Sequence, residues 1–227
     1  MVPEAVLTGQ DEQLTGRDGV LAHYARLLTA EPWSITSDIA ERFAQHGLDA
    51  DAVRTATGVI AMFNYLTRVA DASGIEFDYP TPLPQFRPER AQKPVPRPDR
   101  ELWPVVGESR AEAMSETWRH WRTYVFDATE PLTRRERRLL ARAAAQESCD
   151  RWQADRLDEY APRDNRDAVL DAFARKLSRR PWQMEPADLQ ALRDAGYAEQ
   201  ALLHVISVTA QQNAESRLAL GHALTSR

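Results

Sequence analysis

A single cysteine, Cys149, stands in the 227 residues, so no disulfide and no dithiol redox pair can form within one chain. Lysine is nearly as scarce. Only Lys93 and Lys176 occur, which leaves little room for Schiff-base chemistry. The five histidines, at 23, 46, 120, 204 and 222, show none of the HxxxH or ExxH spacings that set two metal ligands on one helix face. No metal and no other cofactor is expected. Positive charge is not in excess either. A formal net charge of −5 argues against nucleic acid and against an anionic membrane surface as partners. No apolar run approaches the ~18 residues needed to span a bilayer. The N-terminal MVPEAVLTGQDEQ has neither the basic flank nor the apolar core of a signal peptide, so a cytoplasmic location is expected.

What is present is a repeat. Arg17–Gly74 lies over Arg166–Ala223 without a gap, at a constant offset of 149 residues. Arg17-Asp18 matches Arg166-Asp167, Leu28 matches Leu177, and Pro32-Trp33 matches Pro181-Trp182. Gly47 matches Gly196, Asn64 matches Asn213, and Arg68 matches Arg217. Chance rarely aligns a Trp, a Pro, a Gly and an Asn together, and the pattern is that of an internal duplication.

The chain divides into an N-terminal arm (1–16), a first helical repeat (17–74), a Pro-rich linker or arm (75–107) and a second, more complete unit (108–227). In the first repeat Val20, Leu21, Tyr24, Leu27 and Leu28 have helical spacing. A short second helix carries Ile39, Ala40 and Phe43 and closes at Gly47. Asp49 caps a third helix to about Ser73, whose buried stripe is expected to be Val53, Ala56, Val59, Ile60, Phe63, Leu66 and Ala70. Eight prolines between 80 and 104 break regular structure, and Phe77, Tyr79, Phe86 and Trp103 favour an arm that packs. Helix resumes over Ala111–Phe126. Thr133 and Glu136 have capping-box spacing before the apolar run that follows. A further helix is expected from about Asp150 to Tyr160, and then the second trio. No alternating strand pattern is present, so the class is all-α. Only the second repeat is preceded by a full helical segment, 108–160.

These residues carry a resemblance. Leu132-Thr133-Arg134-Arg135-Glu136-Arg137, the alanine-rich LLARAAA and Ala174-Arg175-Lys176-Leu177-Ser178 with Pro181 follow one family's order of motifs. Leu192-Arg193-Asp194-Ala195-Gly196-Tyr197 and Asn213 with Arg217 continue it, and Phe63-Asn64 with Arg68 repeats it. The chain resembles the carboxymuconolactone decarboxylase and alkylhydroperoxidase D superfamily, in particular its peroxidase-related branch, over about 130–227 and 17–74. The resemblance implies a duplicated helical repeat of the alkylhydroperoxidase D-like type, joined here by the Pro-rich extended arm. It also implies a homo-oligomer, a homodimer being the simplest with two repeats in one chain. The Asn and Arg on the long helices read as architecture, since both halves keep them.

The redox centre that the resemblance would imply is missing. Without a gap from Glu136, the family's two cysteines fall on Asp150 and Gln153, with Trp152 between them. The relay glutamate falls on Arg138 and the relay histidine on Leu157. A one-residue gap would place Cys149 and Trp152 there instead. A dithiol peroxidase needs a second thiol to resolve the sulfenic acid, and neither alignment supplies one. Asp150 and Gln153 can form a helix-capping pair. Alternatively, Asp150 is a general base in the old redox cleft, with Glu147 and Arg138 as neighbours and Trp152 and Gln153 lining a substrate site. His120, between Trp118 and Trp121, is either a hydrogen-bonded surface histidine or a pocket acid–base group.

Three functions are therefore expected. The first is a cofactor-independent lyase, isomerase or cyclase acting on a small organic acid or biosynthetic intermediate. The second is a catalytically silent binding or scaffold protein of the same fold. The third is a single-cysteine peroxidase using Cys149.

Overall fold

The computed structural model describes residues 13–75 and 116–225, with Ala5, Val6 and Gln10 ahead of them. The Pro-rich arm with its aromatic residues, the start of the helix expected at Ala111 and most of the N-terminal arm lie outside the described residues. Among those described there are nine α-helices, three single-turn 3-10 segments and no strand. No described helix is long and apolar enough to cross a membrane.

The first trio comprises α1 (Gly16–Ala30), a 3-10 turn (Pro32–Ser34), α2 (Asp38–Gln45) and α3 (Ala50–Ser73). Then come α4 (Glu116–Asp127), α5 (Arg134–Glu147), α6 (Arg151–Arg156) and a 3-10 turn (Asp158–Tyr160). The last trio is α7 (Asn165–Arg179), a 3-10 turn (Pro181–Gln183), α8 (Pro186–Asp194) and α9 (Glu199–Thr225). The 149-residue offset holds for both ends of α1 and α7, for the Pro-Trp turns, and for the starts of α3 and α9. Gly47 and Gly196, one offset apart, both take positive φ, 66° and 87°, where a side chain would be strained.

Local chemistry starts the helices where the sequence places them. Asp49 accepts from the Ala52 N–H at 2.8 Å to open α3, and Asp164 does the same for Asp167 at 2.8 Å to open α7. Thr133 and Glu136 form the full capping box of α5, with the Thr133 N–H donating to Glu136 Oε2 at 2.8 Å.

The long helices α3 and α9 pack against each other at the centre. One apolar core joins α5, α7 and the first half of α9, through Leu139, Leu140, Leu170, Leu177 and Val205. The other joins α1, α2 and the start of α3 to the end of α9, through Tyr24, Leu28, Phe43, Leu220 and Ala223. The last helix thus serves both halves.

The two halves exchange equivalent bonds. Asn64 Nδ2 donates to Thr29 Oγ1 at 3.0 Å, and Asn213 Nδ2 to Ser178 Oγ at 2.7 Å. Arg68 Nη2 reaches across to the Ser178 carbonyl at 3.1 Å. Arg217 Nη2 reaches back to the Thr29 carbonyl at 2.7 Å. Each arginine also donates Nη1 to the asparagine four residues earlier, on its own helix. These side chains satisfy the exposed carbonyl ends of α1 and α7, which is the architectural role expected of them.

That exchange corrects the stripe expected on α3. Its buried residues are Val53, Thr57, Ala61, Asn64, Arg68 and Ala72. Val59, Phe63 and Leu66 point outward, 52%, 58% and 43% exposed. The polar residues face inward because carbonyl ends await them there, and the apolar side is left outside.

At Gly221 the two long helices come too close for a side chain. A Cβ there would overlap the Thr57 side chain. Thr57 cannot withdraw, because its hydroxyl is bonded to the Tyr24 hydroxyl at 2.7 Å and to the Val53 carbonyl at 2.8 Å. Helix propensity alone favours Ala over Gly by about 1 kcal/mol. Gly221→Ala is nevertheless expected to destabilise by about 1–3 kcal/mol through overpacking. Urea unfolding should show a lower midpoint at constant slope, and an unchanged or higher midpoint would refute the close approach.

Candidate functional site

The segment 146–160 turns sharply off α5. Cys149 takes φ 57°, in the left-handed region, and the chain re-enters helix two residues later, at Arg151. Asp150 caps α6, its Oδ1 accepting from the Gln153 N–H at 3.1 Å. Its Oδ2 accepts from the Ser216 hydroxyl of α9 at 2.7 Å. The Ser148 hydroxyl donates to Asn213 Oδ1 at 3.3 Å. The turn is thereby bolted to the long helix, and Asp150 is wholly buried.

In front of this turn, α4, α5 and α6 enclose a cleft of about 370 Å³. Arg122 comes from α4, Arg134 and Arg138 from α5, and Trp152, Gln153 and Arg156 from α6. Leu157, Glu159 and Tyr160 complete the lining. Four guanidinium groups thus face a space with one carboxylate in its wall.

Their settings differ. Arg122 Nε donates to Glu215 Oε2 at 3.1 Å, and the Glu215 side chain is fully buried. Gln211 holds the other Glu215 oxygen at 3.1 Å and itself accepts from Trp121 Nε1 at 3.0 Å. Arg138 is paired with Asp127 at 2.5 Å. Arg134 lies 3.5 Å from the Asp127 carbonyl. The Arg156 guanidinium stacks over the Trp152 ring at 4.6 Å, a cation–π arrangement that holds it flat. Among the described residues neither Arg134 nor Arg156 has an ion-pair partner.

Of the residues singled out in the sequence, the structure brings Arg138, Trp152 and Gln153 together here. The others are elsewhere. Asp150 is buried behind the start of α6 with both oxygens engaged. Glu147 accepts from Arg175 Nη1 at 3.1 Å, and the same arginine is held by Asp171 and Gln146. The carboxylate expected beside Asp150 is therefore half of an ion pair. Cys149 is only 4% exposed, so a peroxide would meet no open thiol. His120 is exposed on α4 and is not in the cleft lining. Among the described residues no three His, Cys, Asp or Glu side chains are grouped to hold a metal.

Sequence reasoning missed Arg122, Arg134, Arg156, Glu159 and Tyr160. A signal existed for some of them. Arg134 and Arg138, like Trp152 and Arg156, are four apart and share a helix face. A larger groove of about 420 Å³ runs beside α3 and is mainly apolar. The smaller cleft is the better site because charged groups converge in it. Compared with known proteins, the chain matches no family model, no curated protein and no solved structure.

Proposed function

We propose that this protein binds a small organic acid in the arginine-lined cleft, without redox chemistry, on a duplicated helical scaffold of the alkylhydroperoxidase D-like type. The observation that carries the reading is Arg134 and Arg156, two cations without ion-pair partners among the described residues, aimed into one cleft beside Trp152. Planar guanidinium groups match carboxylates bidentately, and Trp152 offers a flat apolar wall. The scaffold part is supported by the order of motifs and by the exchanged Asn–Arg bonds. The non-redox part is supported by the single cysteine, since neither register of the resemblance, on Asp150 and Gln153 or on Cys149 and Trp152, supplies a second thiol.

Binding without turnover ranks above catalysis because Asp150, the expected base, and Glu147, its expected neighbour, are spent on a helix cap and an ion pair. One observation favours the second reading, a lyase, isomerase or cyclase. Glu159 and Tyr160 lie in the cleft wall and are able to move a proton at a bound acid.

Titration calorimetry with a panel of small mono- and dicarboxylates, such as benzoate, succinate and citrate, tests the binding. Each charge-assisted hydrogen bond contributes about 1.5–3 kcal/mol. Arg134→Ala with Arg156→Ala should therefore weaken the best ligand about 100-fold or more. Stability should stay as in the parent, since neither residue holds a buried carboxylate. A panel with no ligand, or equal binding by the double variant, refutes the proposal. New ligand resonances by NMR, lost in Tyr160→Phe, would select the enzyme.

A further inference from the structure

We propose that Gln153 reads a hydroxyl group on the bound acid, so that the cleft selects a hydroxylated monocarboxylate over both the bare monoacid and a diacid. This rests on the acid-binding reading of the cleft and names the second polar group of its ligand.

Among the described residues three glutamines are buried, Gln153, Gln211 and Gln212. Two of the three side chains are held. Gln211 accepts from Trp121 Nε1 at 3.0 Å and donates to Glu215 Oε1 at 3.1 Å. Gln212 Nε2 donates to Ser216 Oγ at 3.1 Å. Gln153 differs. It is only 5% exposed, yet its side-chain amide makes no hydrogen bond to any described residue, and only its backbone N–H is engaged, by the Asp150 cap. Buried side-chain polar groups nearly always have a partner. The Gln212 carbonyl also lacks one, but it is sealed in the interior, whereas Gln153 lines the cleft. A donor and an acceptor are thus presented to the ligand.

The cleft passes from charge at its mouth to neutrality at its floor. Arg134, Arg156 and Glu159 are exposed, whereas Gln153 and Leu157 are buried. Arg122 and Arg138 are half-buried between them and already neutralised, Arg122 by Glu215 at 3.1 Å and Arg138 by Asp127 at 2.5 Å. An acid whose carboxylate is held by Arg134 and Arg156 therefore places its far end against Leu157 and the Gln153 amide.

Three kinds of far end fare differently there. A bare hydrocarbon edge suits Leu157 but strips the amide of water and leaves it unpaired. A second carboxylate accepts from Nε2 but brings a charge to a floor whose cations are spent. A hydroxyl is neutral, and it donates to Oε1 or accepts from Nε2. A site that bonds a ligand hydroxyl discriminates strongly against the analogue lacking it.

Titration calorimetry with benzoate, 3- and 4-hydroxybenzoate, isophthalate and terephthalate tests this on the full chain. The parent is expected to bind one hydroxybenzoate at least about 10-fold more tightly than benzoate, and neither dicarboxylate more tightly than benzoate. In Gln153→Leu the hydroxyl preference should shrink to within about twofold, with benzoate bound at least as tightly as by the parent, since no amide is left unpaired. A purely structural Gln153 would instead weaken every acid by the same factor, which overturns the proposal. So does a parent with no hydroxyl preference, a parent that prefers a dicarboxylate, or a preference that survives Gln153→Leu and is lost in Tyr160→Phe. Should Gln153→Leu fail to fold, Gln153→Met keeps the chain length without the amide and carries the same comparison. Acids that bind through Arg134 and Arg156 without regard to the hydroxyl overturn this proposal alone; a parent that binds no carboxylate overturns the acid-binding reading with it.

Discussion

Arg137→Leu is expected to lower stability by about 3–5 kcal/mol, a large share of the margin that keeps a typical domain folded. Arg137 is wholly buried, yet its role is not that of an ion pair. Its Nε donates to the Leu132 carbonyl at 3.2 Å, Nη1 to the Val125 carbonyl at 2.8 Å, and Nη2 to the Glu130 carbonyl at 2.8 Å. Nη2 also approaches His204 Nδ1 at 3.1 Å. One side chain thus satisfies a carbonyl near the end of α4 and two in the connection to α5. Leucine fills much of the volume but leaves several buried acceptors unpaired, each costing about 1–3 kcal/mol. Lysine has a point charge and no fork, so Arg137→Lys should recover less than half of the loss.

The same residue sets a proton equilibrium. Burial first, and the Arg137 charge second, hold the His204 pKa below the ordinary histidine value. Its neutral ring can then accept from the guanidinium. A histidine depressed in the folded state contributes stability fully above its unfolded pKa, near 6.5. That contribution is lost as pH falls from there through the folded pKa. In Arg137→Leu the His204 titration, followed by NMR, should move up toward its ordinary value. A parent-like midpoint in urea would refute the role given to Arg137. The cleft should suffer as well, since Arg122 stands on α4 and Arg134 and Arg138 on α5, and the connection fixes one against the other.

Arg137 also marks where reading from sequence succeeds and fails. Signals that act over four residues were legible. The Thr133–Glu136 box and the Asp49 and Asp150 caps need only spacing and residue type. The repeat was legible because the matched residues keep one offset. The inward face of α3 was not, since its direction is set by the Ser178 carbonyl, 110 residues from Arg68. Periodicity finds an apolar side and assumes that it is the buried one. Glu147 was misplaced for a similar reason, its partner Arg175 being 28 residues away. The cleft draws Arg122 and Arg156 from separate helices, and no spacing rule connects them.

The other large effect is expected at Asp150. Asp150→Ala removes a helix cap, worth about 0.5–2 kcal/mol, and leaves the buried Ser216 hydroxyl without its acceptor, a further ~1–3 kcal/mol. A total of about 2–4 kcal/mol should appear as a lower midpoint in urea. Because α6 carries Trp152, Gln153 and Arg156, its fraying should weaken ligand binding too, so this variant alone does not separate a cap from a base. Asp150→Asn does. Its side-chain oxygen still accepts from the Gln153 N–H, and its amide can donate to Ser216 Oγ, so most of the stability should remain. A structural Asp150 leaves ligand affinity and any turnover of Asp150→Asn within about threefold of the parent. A general base would lose its turnover by about 100-fold or more in the same folded variant. The measured pair, stability against turnover, therefore decides whether Asp150 is an anchor for the cleft or a working acid–base group.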